Sequence, residues 1–212
     1  MSSYRLCYAV TAMLALIGLG INLYVTMAGH PDPLTRIIIY FSYFTILTNI
    51  LAMLAGTGLA LGAGRLHRWA SRPGTRTAIA VHITVVAIVY QLLLAKLAHH
   101  TPLSWWGNLL VHQLVPALWV AAWLLFPPHG GIDLKAPLRW LIYPLLYGAW
   151  TIAHGAASGW YPYPFMDVAK HGGLIVTRNM ALMTLFFAGL CYAFRWIDNR
   201  LGGRALRVTA AA

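Results

Sequence analysis

Residues 36–62 read RIIIYFSYFTILTNILAMLAGTGLALG. After Arg36 the stretch carries no charge, and it exceeds the roughly 18 apolar residues that mark a membrane helix. Five further stretches of the same kind lie at about 4–27, 77–98, 106–126, 138–158 and 172–194. The expectation is an all-α protein: a single domain over residues 1–212, built as a six-helix transmembrane bundle. Thr26-Met27-Ala28 faintly resembles a signal-peptide cleavage site. The apolar run from Tyr8 to Met27 is too long for a typical signal-peptide core, so the first stretch reads as a retained helix.

Composition agrees. Apolar residues make up 60% of the chain, charged residues only 9%, and mean hydropathy is +0.68. A soluble domain carries about 25% charged residues, so this chain can cover a lipid-facing surface but not a watery one. The only acids are Asp32, Asp133, Asp167 and Asp198, and the formal charge is +11. Cys7 and Cys191 lie inside apolar runs and form neither a disulfide framework nor a metal motif.

The basic residues have an address. With the N-terminus inside, one side holds eleven: Arg5, Arg65, Arg68, Arg72, Arg76, Lys135, Arg139, Arg195, Arg200, Arg204 and Arg207. The other side and its span edges hold four: Arg36, Lys96, Lys170 and Arg178. This asymmetry follows the positive-inside rule and places both termini in the cytoplasm, with a bacterial inner membrane the expected location. Membrane lipids account for the basic balance, and no nucleic acid is called for. Two outer loops, Thr101–Trp106 and Gly159–Phe165, are rich in aromatics and proline, as interfacial segments are. No internal repeat of the transporter kind is evident.

Polar residues inside the spans carry the functional information. They are Thr45, Thr48 and Asn49 in the second span, and His82, Gln91 and Lys96 in the third. Asn108, His112 and Gln113 lie in the fourth, Thr151 and His154 in the fifth, and Arg178 and Asn179 in the sixth. At about 1.5 Å rise per residue, Thr45 lies roughly 13 Å and His112 roughly 9 Å below the outer ends of their helices. All but His82 fall in the outer half. Ionisable groups within a bilayer normally face a bundle interior or a cavity, so the convergence points to a polar pocket opening outward.

That pocket has no carboxylate in its spans, which argues against a carboxylate proton relay or a carboxylate-bridged metal. No metal or cofactor is expected. Arg178 and Lys96 supply positive charge suited to the carboxylate of a fatty acid. Thr45 and His112 are a candidate nucleophile and general base for acyl transfer. Asn49, Asn108, Asn179 and Arg178 are candidate donors to an oxyanion. His154 either orients the imidazole or water, or bonds the outer loop. The plain alternative for Thr45 is a hydrogen bond to the Phe41 carbonyl four residues back. Pro116 has no N–H for the His112 carbonyl, so a kink is expected that frees that oxygen.

FSYFTILTNI in the second span, NLLVH followed by Pro116 in the fourth, and GWYPYPF after the fifth occur in an order that resembles one family. The chain is similar to the androgen-induced-gene-like family, which includes the androgen-dependent TFPI-regulating protein and bacterial "Pr-six-Pr" membrane proteins. The resemblance spans nearly the whole chain. It implies a six-helix intramembrane hydrolase that cleaves fatty acid esters of hydroxy fatty acids, with a threonine nucleophile and a histidine. By motif these are Thr45, after Tyr43-Phe44, and His112, four residues after Asn108; Thr48, one turn on, competes for the first role. Pro116 follows the histidine by four residues, where the family's eukaryotic members use five, and the tryptophan spacing before Tyr163-Pro164-Phe165 also differs. Two other function classes fit the residues. One is a lipid receptor or transporter using Arg178. The other is a haem-binding electron carrier with His112 and His154 as axial ligands.

Overall fold

The computed structural model describes residues 2–28 and 31–210, with side chains through residue 203; the side chains of Arg204 and Arg207 lie outside this part. Eight helices organise it: α1 (Ser3–Met27), α2 (Pro33–Phe41), α3 (Phe44–Leu61), α4 (Gly64–Ala70), α5 (Pro73–Leu97), α6 (Pro102–Leu125), α7 (Ala136–Ser158) and α8 (Gly173–Ala210). The chain is 84% helical, and no strand occurs among the described residues. Five helices, α1, α3, α5, α6 and α8, are long and apolar enough to cross a membrane. The fold is that of an all-α, multi-pass membrane protein. α7 matches the expected fifth span with 23 residues but is less apolar.

α5 is the hub. Its Ile79, Ala80 and Ile83 pack with Tyr8 and Ala15 of α1, Ala52 and Ala55 of α3, and Trp119 and Trp123 of α6. Its Val81, Val85 and Val86 pack with Phe44, with Leu141 and Tyr147 of α7, and with Phe187 and Cys191 of α8. Apolar side chains also cover the outside, among them Leu16, Leu92, Leu125, Leu146, Leu182 and Leu185. Lipid, not water, is the solvent that such a surface tolerates.

Three expectations need correction. The second span is not one helix over 36–62: it breaks at Ser42 and Tyr43, between α2 and α3. The last helix does not end near 194 but runs 38 residues, so Arg195 and Arg200 are helical. Arg76, expected in a loop, lies in the first turn of α5 and is fully buried. It donates to the Tyr8 hydroxyl (2.9 Å) and to the carbonyls of Phe126 (2.5 Å) and Pro128 (3.1 Å).

Asp198 of α8 is also fully buried, with partners of its own. Its carboxylate accepts from Thr77 Oγ1 (2.7 Å), Trp123 Nε1 (3.0 Å) and the Gly130 amide (2.6 Å), with His129 Nδ1 at 3.4 Å. Gly202 lets α8 come this close, because a Cβ there would lie 2.6 Å from the His129 carbonyl oxygen. Nearby, the hydrogen bond from Arg139 holds the exposed Asp133 carboxyl below its usual pKa range. Asp198→Ala is expected to strand the three nearer donors at a cost of about 1–3 kcal/mol each if they stay dry. A clear fall in the melting temperature of the detergent-solubilised protein checks it, with Asp198→Asn milder; an unchanged melting temperature contradicts it.

Candidate functional site

The break in the second span decides where Thr45 sits. Ser42 and Tyr43 interrupt the helix, and backbone groups released inside a membrane must find partners. Ser42 Oγ donates to the Ile38 carbonyl at 2.7 Å, and the Tyr147 hydroxyl donates to the Ser42 carbonyl at 2.8 Å. Beyond the break, the Tyr43 carbonyl accepts from the Ile46 (3.1 Å) and Leu47 (3.2 Å) amides. Phe44 and Thr45 therefore stand ahead of the first intrahelical bond of α3, with their N–H groups pointing out of its positive end. Tyr163, from the loop after α7, lines both of the spaces that Thr45 borders. Burial holds the Tyr163 phenol above its usual pKa range.

Thr45 does not bond back to Phe41. Its Oγ1 lies 3.3 Å from His112 Nε2, across α3 and α6. The other ring nitrogen, Nδ1, lies 3.2 Å from the Asn108 backbone carbonyl. A carbonyl only accepts, so Nδ1 carries the proton. Nε2 then presents a lone pair, and the Thr45 hydroxyl donates to it. This is the tautomer a general base needs.

A π turn over Leu110–Leu114 places His112 on α6. Such turns add one residue to a helical turn and cluster at functional sites. Pro116 stands just beyond it, and the carbonyl a neighbour takes is that of Val111, not of His112 as expected. In π register an acceptor serves the residue five ahead, and for Val111 that residue is the donorless proline. Asn49 Nδ2 fills the gap, donating to Val111 O at 3.1 Å and to Thr45 O at 2.9 Å. Asn49 thus ties the two helices together beside both reactive groups, and its N–H donors are not free for an oxyanion.

A second π turn, Tyr90–Leu94 in α5, sets Tyr90 against the imidazole. The two rings stack with centroids 4.0 Å apart, tilted by 24°. Asn108 Nδ2 donates to the Tyr90 hydroxyl at 2.7 Å, with His100 Nε2 at 3.2 Å from the same oxygen. Asn108 therefore orients rather than stabilises charge. Tyr90 was not singled out in the sequence, and Tyr163 stood there only within the GWYPYPF motif.

The remaining expected residues are not brought to the pair. Arg178 and Lys96 are exposed and line none of the cavities around Thr45. Asn179 faces inward, with Nδ2 donating to the Phe165 carbonyl at 2.9 Å. Neighbouring helical residues lie about 100° apart, so an inward Asn179 turns Arg178 away. His154 stacks on Trp150 (5.5 Å) and meets Trp160 edge-on (6.0 Å). Thr48 bonds the Tyr143 hydroxyl at 3.0 Å.

Thr45 borders two spaces. A cavity of about 390 Å³ also holds His112, Asn22, Thr26, Tyr90 and Tyr163. An apolar passage of about 60 Å³ runs past Thr45 between α5, α7 and α8. The fold and site define a multi-pass helical membrane protein with a part-buried hydroxyl–imidazole pair. No family model, curated protein or solved structure matches the chain. Nitrogen-15 NMR of the labelled protein should find neutral His112 protonated on Nδ1; a dominant Nε2–H tautomer contradicts this geometry.

Proposed function

We propose that the protein is an intramembrane hydrolase of lipid esters, with Thr45 as nucleophile and His112 as general base. The observation that carries this is the 3.3 Å approach of Thr45 Oγ1 to the unprotonated Nε2 of an imidazole fixed by Asn108. The family resemblance supports fatty acid esters of hydroxy fatty acids as the substrate class.

In the first half-reaction Nε2 takes the Thr45 proton as Oγ1 attacks the ester carbonyl carbon. The oxyanion forms at the amino end of α3, where the Thr45 amide and the Tyr163 hydroxyl are the nearby donors. These replace Asn49, Asn108 and Asn179 in that role. The imidazolium then protonates the departing alkoxide, leaving an acyl-threonine. Water attacks this ester by the same proton path, releasing the fatty acid and restoring Thr45.

Six crossings, cytoplasmic termini and a bacterial inner membrane complete the reading, on the strength of the charge asymmetry. The alternatives find less support. For a haem carrier, His112 is already engaged by Thr45, Asn108 and Tyr90, and His154 packs among tryptophans. For a transporter, a cavity of about 570 Å³ lined by His82, Arg72 and Arg139 would have to join the one at Thr45. The stacked rings of Phe44 and Tyr143, 5.1 Å apart, stand between.

An activated fluorophosphonate probe should label Thr45. Thr45→Ala and His112→Ala should each lower ester turnover by on the order of 10³-fold or more, as loss of a nucleophile or base does. Thr48→Val should stay within a few-fold of wild type, losing about 1 kcal/mol of stability with its hydrogen bond. Near-normal turnover by Thr45→Ala would falsify the assignment. Reporter fusions should place the segment 63–72, which holds α4, in the cytoplasm; an outside location overturns the orientation.

A further inference from the structure

Beside the apolar passage at Thr45 lies another space, at the lipid-facing surface. A groove of about 360 Å³ lies between α5 and α8, lined by Ile88, Leu92 and Leu93 on one side and Leu182 and Phe186 on the other. Leu92 and Leu182 are 75% and 58% exposed, so the groove faces the surface that contacts the bilayer. Groove and passage share three lining residues, Val89, Phe165 and Met183. At its other end the passage shares Thr45, Tyr90, Leu94 and Tyr163 with the His112 cavity. Three spaces thus adjoin one another in order from the bilayer to the imidazole.

Their sizes and linings differ in a useful way. The two end spaces measure about 360 and 390 Å³, and the passage between them only about 60 Å³. The constriction is lined by Met180 and Met183, the most readily repacked of apolar side chains. Phe165 forms its other jaw, held through its backbone by Asn179. The groove is almost wholly apolar, whereas Asn22, Thr26 and His112 line the far cavity.

Resting on the Thr45–His112 reading, we propose that the acyl chain of the substrate comes from the bilayer between α5 and α8. It then lies in the passage gated by Met183 and Phe165, while the polar alcohol portion occupies the cavity beside His112. The passage takes one chain abreast. The substrate class is accordingly a single-chain acyl ester whose alcohol part is the bulkier and more polar half. A long tail is accommodated because the passage opens into lipid instead of ending in a wall.

The test uses the full chain in proteoliposomes with umbelliferyl esters of acetate, octanoate and palmitate. Met183→Trp and Val89→Trp fill the constriction and the groove mouth. Each should lower kcat/KM for the palmitoyl ester by about tenfold or more relative to any change in the acetyl ester. Met183→Ala should shift preference toward the longer chains. In parallel, a palmitoyl lipid carrying a diazirine on its chain should photolabel the peptides holding Met183 and Phe165. That labelling should persist in Thr45→Ala and vanish in Met183→Trp. Equal losses for acetyl and palmitoyl esters, no loss for either, or photolabel placed elsewhere overturns the portal. Photolabelling as expected with no ester turnover by the wild type instead overturns the hydrolase reading and leaves the portal standing.

Discussion

The interruption at Ser42 and Tyr43 governs the site end of the molecule. A bilayer supplies no hydrogen-bond partners, so a broken helix is tolerated only where protein groups take up the freed amides and carbonyls. Here Ser42, Tyr43 and Tyr147 do so, and Tyr147 thereby binds α7 to the break. Tyr163 lines the same cavity as Thr45 at the new helix end. Had α2 and α3 been continuous, Thr45 would be a mid-helix residue with its amide consumed. Because they are not, its hydroxyl faces His112 and its amide points out of a helix amino terminus.

The histidine depends on a second irregularity. Pro116 removes a donor, the π turn before it shifts the vacancy to Val111, and Asn49 fills it from α3. One amide side chain thus joins the carbonyls of Thr45 and Val111 and fixes the distance between the helices that carry the pair. Tyr90, swung inward by another π turn, limits the tilt of the imidazole from its other face. Local departures from α geometry, not regular helices, set the 3.3 Å approach.

The crossings were legible because bilayer thickness demands long apolar runs, and hydropathy records them directly. Thr45 and His112 were legible because polar groups at similar depth in neighbouring spans are costly unless they meet. The break at residue 42 was not, since FSYF has neither proline nor glycine to announce it. Arg178 misled because depth alone says nothing of helical phase; its neighbour Asn179 took the inward position. Arg76 and Asp198 escaped notice for a different reason. Each reads as an ordinary loop charge, and only the folded chain surrounds them with the Tyr8 hydroxyl, the Trp123 indole and loop backbone groups.

The buried Asp198 carboxylate also has a mechanical meaning. Thr77 of α5 holds it at 2.7 Å, so α5 and α8 are pinned together at the end of the bundle remote from Thr45. At the other end α5 finishes in π and 3₁₀ turns, and α8 meets it through methionine and leucine side chains. The two rods are clasped by a polar bond at one end and meet through apolar side chains at the other, as the arms of tweezers do. The hydrogen bond lies at the clasp, so a substitution that widens the apolar gap at the tips leaves the hold between the two helices in place.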